Sequence, residues 1–333
     1  MALTYEVIEA RLLGREHLSR WQALLPLMGD LASPFFRPEY TQAVAEVRGG
    51  VEVCVIREGQ EVVGFYPFER IEPRVGRPVG GSMSNLQGTI AVPDVAWSAI
   101  GIAHAARLAV LKFHHQVSEQ AQFAPYTLRT APAPVVEVAG GWDAYLEQRK
   151  REGISSFNAL PRKMRKLEQT LGPISFVPHT TDAAALDRLV EWKRGQYVRT
   201  ATHGSLEHEW ALDILRRLMA QQSADFAGML SALYAGERLI GVHAGMRTAT
   251  VWHYWFPAYD PAVGQHSPGL VLMLEMCKWA SGAGLHRIDL GPGDGAHKGL
   301  FGTSEMRVGV GQVVVPPRRG LLGRMMRRLR NVG

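Results

Sequence analysis

The sequence predicts an α/β fold of the α+β type, in which two units each contain a mostly antiparallel mixed sheet flanked by helices. Three observations support this prediction. The chain has 333 residues, which is long for one hydrophobic core and sufficient for two. A hairpin pattern with a glycine turn occurs twice. Helices, hairpins and single strands follow one another irregularly, which differs from the regular β-α repeat of a doubly wound fold.

The repeated hairpin covers residues 51–70 and again residues 229–247. In each copy, two runs rich in aliphatic residues flank a short turn that contains a glycine. Three positions recur 177 residues later: Ile56, Gly59 and Gly64 become Leu233, Gly236 and Gly241. Because this offset is slightly more than half the chain, it favours an internal repeat of two domains. A chance similarity between two ordinary hairpins is the alternative.

Hydrophobic periodicity and turn residues predict the remaining elements. After the first hairpin we expect an irregular segment at 73–94, a helix at 95–116, a strand at 134–138 and an interrupted helix at 142–171. The second unit should then contain a strand at 173–178, helices at 182–199 and 207–222, the hairpin, a strand at 250–258, a helix at 268–281 and strands at 285–291 and 306–315. These boundaries predict an N-terminal domain over 1–140, a C-terminal domain over 141–315 and a tail over 316–333.

The charge distribution argues against a specific nucleic-acid partner. The formal net charge is +6, but the tail holds six arginines: Arg318, Arg319, Arg324, Arg327, Arg328 and Arg330. Without these six, the 37 basic residues become 31 and equal the 31 acidic ones. A helix over 320–330 would be amphipathic and basic, which is typical of segments that bind an anionic membrane surface. A disordered tail or a packing helix is the alternative.

Several kinds of site are not indicated by the sequence. Two distant cysteines, Cys54 and Cys277, predict neither a disulfide framework nor a zinc site. The metalloprotease motif His-Glu-x-x-His and the nucleophile elbow Gly-x-Ser-x-Gly are missing. No signal-peptide pattern or membrane span is apparent. We therefore expect no metal and a cytoplasmic protein, held at the inner face of the cell membrane by its tail.

The most informative segment is 251–302. It begins as an aromatic-rich strand and continues into a loop and an almost wholly apolar helix that starts at Ser267-Pro268. Serine suits the N-cap position and proline the first helical position. Because an apolar helix must be buried, the N–H groups of Gly269, Leu270 and Val271 would point into the molecule and could bind an anion. A core helix without a ligand is the alternative.

The order of these motifs resembles one known group of proteins. After the hairpin come a strand ending in Ala-Tyr-Asp at 258–260, the Ser-Pro-Gly loop, the apolar helix, the strand Ile-Asp-Leu-Gly at 288–291 and a glycine-rich loop that ends at Lys298. This order resembles the CelD/BcsL-like branch of the Gcn5-related N-acetyltransferase (GNAT) superfamily, which is related to Fem-type peptidyltransferases. Bacterial ceramide synthases look like further members. The resemblance implies tandem GNAT-like domains with the active site in the second.

The resemblance also implies an acyltransferase with acyl-CoA as its co-substrate. In GNAT enzymes the loop and helix start after the fourth strand hold the CoA pyrophosphate, and the corresponding residues here are Gln265, His266, Ser267, Pro268, Gly269, Leu270 and the adjoining Val271. Because Pro268-Gly269 replaces the usual glycine pair, an aminoacyl-tRNA donor is the alternative. Lys298 matches a family lysine that is expected to hold a phosphate or carboxylate of a substrate; an ordinary surface lysine is the rival interpretation.

Acyl transfer to an amine needs a base for the amine proton and hydrogen-bond donors for the tetrahedral oxyanion. His243 is the leading candidate base, because it is a lone imidazole between apolar neighbours on a hairpin strand. Asp289 is the second candidate, and His253 and Tyr254 are candidates for a proton relay or general acid. Backbone N–H groups of strand 250–258 are expected to bind the oxyanion. A structural histidine and a loop-capping carboxylate are the alternatives for the two bases.

Candidate acceptor contacts lie in both predicted domains. Asn85 and Gln87 belong to a polar loop that could reach across the cleft between the domains, and Trp255 lies on an aromatic strand suited to a long lipid-like substrate. We therefore expect an acyl-CoA-dependent N- or O-acyltransferase acting on an envelope lipid, such as a sphingoid base, or on a glycan precursor. Fem-like transfer from aminoacyl-tRNA, served by the basic residues 149–166, and a non-catalytic scaffold at the membrane are the alternatives.

Overall fold

The computed structural model describes residues 2–316, so the predicted basic helix within 318–330 lies outside the described residues. Thirteen strands are described: β1 (Leu3–Glu9), β2 (Val51–Glu58), β3 (Glu61–Glu72), β4 (Val75–Arg77), β5 (Ile90–Ala91), β6 (Val110–Val117), β7 (Thr127–Glu137), β8 (Ile174–Val177), β9 (Phe226–Ala235), β10 (Arg238–Thr248), β11 (Val251–Tyr259), β12 (Arg287–Asp289) and β13 (Ser304–Val314).

Ten α-helices accompany these strands in the described part of the chain: α1 (Arg15–Leu24), α2 (Pro38–Val47), α3 (Ala99–Ala105), α4 (Trp142–Arg151), α5 (Ser155–Asn158), α6 (Leu160–Leu171), α7 (Ala183–Thr200), α8 (Glu209–Met219), α9 (Pro268–Gly282) and α10 (Ala296–Phe301). Within residues 2–316, none of the helices has both the length and the apolar character that crossing a membrane requires.

The described strands form one mixed sheet. Their order across the sheet is β1-β2-β3-β4-β6-β13-β7-β12-β11-β10-β9-β8, and β5 pairs with β3 outside this path. The pairs β4–β6 and β11–β12 are parallel, while neighbouring hairpin strands are antiparallel. This architecture confirms the mixed α/β fold class expected from the sequence.

The two hairpins that are similar in sequence also share their strand register. Ile56 pairs with Gly64 in the first, as Leu233 pairs with Gly241 in the second, and each hairpin has an irregularity just before the turn. Both turn glycines are left-handed, with φ 60° at Gly59 and 58° at Gly236, a conformation that favours glycine. The sequence offset therefore relates equivalent positions of the fold.

Two strands join the N-terminal half (residues 2–137) to the C-terminal half (residues 142–316). β7 belongs to the first half but pairs with β12 of the second. β13, the last strand, returns to lie between β6 and β7. Side chains reinforce the contact, because the Arg48 guanidinium lies 4.3 Å from the centre of the Trp210 ring and Arg287 donates a hydrogen bond to the Ala32 carbonyl. The halves therefore share one continuous sheet.

The N-terminal half differs from the prediction at two places. The helix expected over 95–116 ends at Ala105, and residues 110–117 form β6 instead. This strand buries Leu111 and Phe113 and bonds to β13 and β4, so partners distant in sequence override the local pattern. β7 begins at Thr127 rather than at residue 134, because β13 and β12 pair along its two edges. In the C-terminal half the predicted elements lie within a few residues of the observed ones.

β11 contains a bulge opposite Gly245 of β10. Ala244 pairs with Phe256 and Met246 pairs with His253, so a single residue of β10 faces two residues of β11. A Cβ atom at position 245 would overlap the His253 carbonyl oxygen and would lie 2.5 Å from Cε1 of His243. Only glycine fits between the two strands at this point.

We expect Gly245→Ala to lower the free energy of unfolding by about 1–3 kcal/mol, because the added methyl group must push backbone apart. Gly241→Ala, on the same strand, is the matched control: its Cβ would lie 3.6 Å from Leu233 and Leu272, so a change within about 1 kcal/mol is expected. Urea denaturation of both variants measures the difference. Equal stabilities for the two would contradict the steric role of Gly245.

Candidate active site

Two cavities lie beside the C-terminal part of β11. The cleft cavity, of about 690 Å³, lies between the two halves and is lined by residues that include Ser82, Asn85, Lys193, Ser205, Trp255 and Phe256. The helix cavity, of about 380 Å³, lies at the start of α9 and is lined by residues that include Lys193, Tyr254, Ser267, Gly269, Leu270 and His297. Lys193 belongs to both linings. Among residues 2–316, no cluster of three His, Cys, Asp or Glu side chains is arranged to hold a metal ion.

The helix cavity opens where β11 and β12 separate. These parallel strands pair only from Val251 to His253 on β11, and β11 then continues to Tyr259 without this neighbour. α9 begins beside the gap, with Pro268 as its first residue as predicted. A helix N-terminus carries partial positive charge and unpaired N–H groups, so this end of the cavity suits an anion.

Ser267 contacts a lysine instead of capping α9. A serine that caps a helix normally has an extended backbone. Ser267 instead has a left-handed φ of 57°, and its side chain makes no capping bond. The hydroxyl instead accepts a hydrogen bond from Lys163 Nζ of α6 at 3.0 Å. The N–H groups of Leu270 and Val271 bond to the Ser267 carbonyl. In the described part of the chain, Gly269 is therefore the one of the three expected anion donors without a backbone carbonyl partner.

The other residues expected to hold the CoA pyrophosphate are distributed unevenly. Gln265 is exposed and His266 is buried in the turn before α9, and Val271 is buried in the core. None of the three lines the helix cavity. The basic cluster at 162–166 contributes Lys163 to the start of α9, which is a cation beside the helix N-terminus that the sequence alone did not place there.

His243 is completely buried and already hydrogen-bonded. Its Nε2 accepts a hydrogen bond from the Trp255 N–H in the bulge of β11, at 3.1 Å, and its ring stacks on Tyr254 with centroids 5.0 Å apart. Burial lowers the pKa of the imidazole to about 3, so the ring is neutral at physiological pH. It lines neither cavity. This geometry favours the structural alternative, in which His243 holds the bulge and occupies an N–H group expected for the oxyanion.

His253 and Asp289 meet Asn85 at the boundary between the halves. His253 and Asp289 are register partners on the parallel strands β11 and β12. Asn85 Nδ2 lies 3.0 Å from His253 Nε2. Burial, with smaller contributions from His243 and Lys298, lowers the pKa of His253 to about 3. Asn85 lines the cleft cavity, whereas the other two side chains line neither large cavity.

The Asp289 carboxyl group is buried next to a poorly aligned cation. Arg287 Nε lies 3.2 Å from its Oδ1, yet both atoms lack a hydrogen bond of good geometry. Burial therefore dominates over the arginine and raises the pKa of Asp289 to about 6. A buried carboxyl group with a pKa near neutrality is a common feature of functional sites.

Tyr254 and Lys298 have different environments. Tyr254 lines the helix cavity, and burial raises the pKa of its phenol, so the hydroxyl stays protonated and can act as a proton donor. Lys298 Nζ donates to the carbonyl oxygens of Gly291 at 3.0 Å and Pro292 at 2.5 Å. This lysine therefore stabilises the loop that precedes α10. His297, the residue before Lys298 in the sequence, lines the helix cavity, whereas Lys298 does not.

The aromatic strand packs into the core. Trp252 has no exposed surface, and Trp255 keeps 7 % while its indole N–H donates to the Met83 carbonyl. The strand therefore offers no broad apolar surface to a long substrate, which removes one argument for a lipid-like acceptor, although Trp255 does line the cleft cavity. Gln87 is buried and donates to the Tyr66 hydroxyl. It lines neither cavity.

Lys193 is a site residue that the sequence interpretation missed. It lies on α7, and its Nζ donates to the Pro257 carbonyl at 3.0 Å and to Gln196 Oε1 at 3.1 Å. Burial lowers the pKa of this amine to about 8. The helical spacing of the sequence could have indicated this position. Lys193 lies one helical turn from Leu189 and two from Ala185, and both of these residues are fully buried. A lysine on that face must lie against the protein.

Arg149 is a second residue whose position the sequence did not reveal, because it lies in a strongly basic segment, 149–166. Only 1 % of Arg149 is exposed. Its guanidinium donates to the carbonyl oxygens of Gly299 and Gly302, at the C-terminal end of α10, where a cation also complements the helix dipole. It therefore holds the helix that carries His297 and Lys298.

The raised pKa of Asp289 predicts a pH-dependent stability difference from Asp289→Asn. Because the folded-state pKa of about 6 exceeds the ordinary value of 3.8, protonation stabilises the native state below about pH 4, and this contribution is lost as pH rises through 6. The unfolding free energy of the wild type should therefore fall relative to the variant by up to about 3 kcal/mol over that range. Urea titrations from pH 4 to 8 test this, with exposed Asp213→Asn as control; parallel curves for wild type and Asp289→Asn would contradict it.

Part of the chain matches a known protein family. Residues 155–299 match the family described as Acetyltransferase (GNAT) domain. This range contains α7, the hairpin of β9 and β10, β11, α9 and β12, and so includes most of the helix cavity. No curated protein sequence matches the chain.

Several solved structures are similar over nearly the whole chain. The structure of FemX has 11 % sequence identity and a TM-score of 0.59, covering 97 % of this chain and 99 % of FemX. A tandem GNAT protein from the clavulanic acid biosynthesis pathway has 13 % identity and a TM-score of 0.52, covering 95 % and 100 %. The C-terminal domain of a putative lysylphosphatidylglycerol synthetase from Agrobacterium fabrum has 13 % identity and a TM-score of 0.51, covering 95 % and 96 %. At such identities the similarity establishes the fold alone, so the chain has a GNAT-like fold that it shares with a tandem GNAT protein, and its residues 155–299 match the GNAT acetyltransferase domain family.

Proposed function

We propose that the protein is an acyl-CoA-dependent N- or O-acyltransferase, with the donor in the helix cavity and the acceptor in the cleft cavity. The main supporting observation is that the two cavities adjoin at one side chain, Lys193. A direct transfer requires the reacting atoms of donor and acceptor to be held close together, and two cavities that adjoin at one side chain can hold them in this way. The GNAT acetyltransferase domain at 155–299 supports acyl transfer as the chemistry.

The helix cavity suits a phosphate-bearing thioester. The N-terminus of α9 and the Lys163 ammonium group, which contacts Ser267, provide positive charge for the phosphates of CoA. Gly269 allows a phosphate to approach the backbone closely. Tyr254, in the same lining, can hydrogen-bond the thioester region through its protonated hydroxyl. These features favour acyl-CoA.

The cleft cavity suits a polar acceptor group. Ser82 of the N-terminal half and Ser205 of the C-terminal half lie 3.0 Å apart through their hydroxyl oxygens, and Asn85 and Glu207 add further polar groups. We infer that the acceptor presents a polar head, either of a glycan precursor or of an envelope lipid such as a sphingoid base. Any acyl chain of that lipid would remain outside the cleft, and the arginine-rich segment 318–330 would hold the enzyme at an anionic membrane surface.

This proposal includes membership of the CelD/BcsL-like branch of the GNAT superfamily. Fem-like transfer from aminoacyl-tRNA is the second candidate, and one observation favours it: Arg162, Arg165 and Lys166 of α6 are exposed near the donor end of the helix cavity, where they could bind a nucleic-acid backbone. The donor assay described next distinguishes the two candidates.

We expect the full-length protein to release CoA thiol from acetyl-CoA or a long-chain acyl-CoA when membrane extract is added. Free thiol measured over time gives the rate, and mass spectrometry of the extract identifies the acylated product. A matched reaction with aminoacyl-tRNA tests the second candidate. If no donor is consumed in any of these reactions, the proposed function is wrong.

Donor affinity should depend on Lys163 and only slightly on its neighbour Lys166. Lys163→Met removes a charge-assisted contact at the helix N-terminus, so acetyl-CoA should bind about 10- to 100-fold more weakly. Lys166→Met, on the exposed side of the same helix, is the control and should change the affinity less than about twofold. Isothermal titration calorimetry measures both, and equal weakening by the two substitutions would show that general basicity, not the site, attracts the donor.

A further inference from the structure

Among residues 2–316, Lys193 is the one side chain that lines both cavities. Its side chain leaves the middle of α7 and ends at β11, where Nζ lies 3.0 Å from the Pro257 carbonyl oxygen. This carbonyl belongs to the part of β11 that continues beyond β12. The ammonium group is therefore fixed at the gap where the strands separate, between the lining of the cleft cavity and that of the helix cavity.

No carboxylate in the described part of the chain forms an ion pair with Lys193. Both hydrogen-bond acceptors of its Nζ are neutral, the Pro257 carbonyl and the Gln196 side-chain amide oxygen. The closest acidic residue of the cleft lining, Glu207, instead accepts from the Gly204 N–H at 2.8 Å and contacts His203. A half-buried lysine such as Lys193, without an anionic partner, loses its proton more readily than a solvated one, because desolvation penalises the charged form.

The titratable groups around the amine are tyrosines, histidines and one carboxylate, Glu207, which forms no ion pair with Lys193 and is held by the Gly204 N–H and by His203. They come from five parts of the structure: Tyr197 on α7, His243 on β10, Tyr254 on β11, His297 on α10, and His203, Glu207 and His208 in the segment before α8. Burial lowers the pKa of His243 and His297 and raises that of Tyr197 and Tyr254. Burial also lowers the pKa of Lys298 to about 8, but Lys298 lines neither cavity. Lys193 is therefore the amine that can exchange a proton with both.

Resting on the proposed function, we propose that Lys193 is the proton carrier of acyl transfer, serving both the acceptor and the leaving thiol. As a neutral amine, Nζ accepts the proton that the attacking nitrogen or oxygen of the acceptor loses while that atom bonds to the thioester carbonyl carbon. The tetrahedral intermediate then breaks its carbon–sulfur bond. The Lys193 ammonium group returns the same proton to the CoA sulfur, so the amine is regenerated and no other reactant is needed.

The pKa of Lys193 suits both proton transfers of this cycle, from the acceptor and to the leaving thiol. Burial sets the pKa of Lys193 to about 8, close to the pKa of about 8.5 of an ordinary thiol, so the ammonium can protonate a thiolate without a large barrier. The neutral amine is also a substantial fraction of the enzyme at pH 8. His243 cannot replace it, because the Nε2 of that ring is bonded to the Trp255 N–H.

The test uses three substitutions in the full-length chain, with acetyl-CoA and palmitoyl-CoA as donors and ethanolamine, glucosamine and membrane extract as acceptor probes. Lys193→Met removes the amine. Lys193→Arg keeps the cation but cannot act as a base near neutral pH. Lys193→Cys can be alkylated with bromoethylamine to restore an amine of lower intrinsic pKa. The two native cysteines, Cys54 and Cys277, are fully buried and burial raises the pKa of each thiol to about 12, so they should resist alkylation in the folded protein.

We expect kcat/KM to fall about 10²- to 10⁴-fold in both the Met and Arg variants, while acetyl-CoA binding by calorimetry changes little. When kcat/KM is expressed per neutral acceptor amine at each pH, the wild-type value should rise with pH through about 8, and this rise should vanish in Lys193→Met. The alkylated Cys variant should regain activity, with the rise displaced to lower pH. Lys112→Met, an exposed lysine on β6, is the control and should match the wild type.

Three results would overturn this role: activity restored by arginine, a loss confined to the KM of the acceptor, or a pH rise that persists in Lys193→Met. Each would show that Lys193 binds or positions a substrate without carrying its proton. A wild type without turnover for any donor contradicts the proposed function itself, and the role of Lys193 falls with it. Far-ultraviolet circular dichroism and urea titration of each variant separate these results from misfolding.

Discussion

The pairing of β13 with β6 and β7 is the constraint on which the arrangement of the site depends. It completes the centre of the sheet and places β7 of the N-terminal half against β12 of the C-terminal half. That placement brings Asn85 to His253 and closes the wall of the cleft cavity. The cleft is therefore bordered by a continuous hydrogen-bonded sheet, and motion between the halves would have to break β-ladder hydrogen bonds.

Burial determines the chemistry of the central side chains more than net charge does. It keeps His243 neutral so that the ring can accept the Trp255 N–H in the bulge. It also favours the uncharged forms of Lys193 and Asp289. The same desolvation thus gives one residue a structural role and leaves another free to exchange a proton. The difference lies in the kind of partner. The lone pair of His243 Nε2 is occupied by a backbone N–H, whereas Lys193 Nζ contacts oxygen acceptors only and keeps a lone pair available once it is deprotonated.

The sequence allowed the local features of the fold to be predicted and left the long-range ones undetermined. The glycine turns at Gly59 and Gly236 and the apolar α9 were recognisable because their patterns are local. β6 was mistaken for a helix because its partners, β4 and β13, are distant in sequence. The sequence predicts an anion site at the start of α9. The contribution of Lys163 and the burial of Arg149 and Lys193 depend on which helices pack together, and such contacts leave little trace in a single sequence.

The central position of β13 also has a consequence for the synthesis of the protein on the ribosome. β6 and β7 emerge early, yet the strand that lies between them is among the last described segments to be made. Until then both strands expose unpaired edges, which are prone to pair with other chains. The N-terminal half therefore cannot complete its sheet until β13, at the end of the C-terminal half, has been translated.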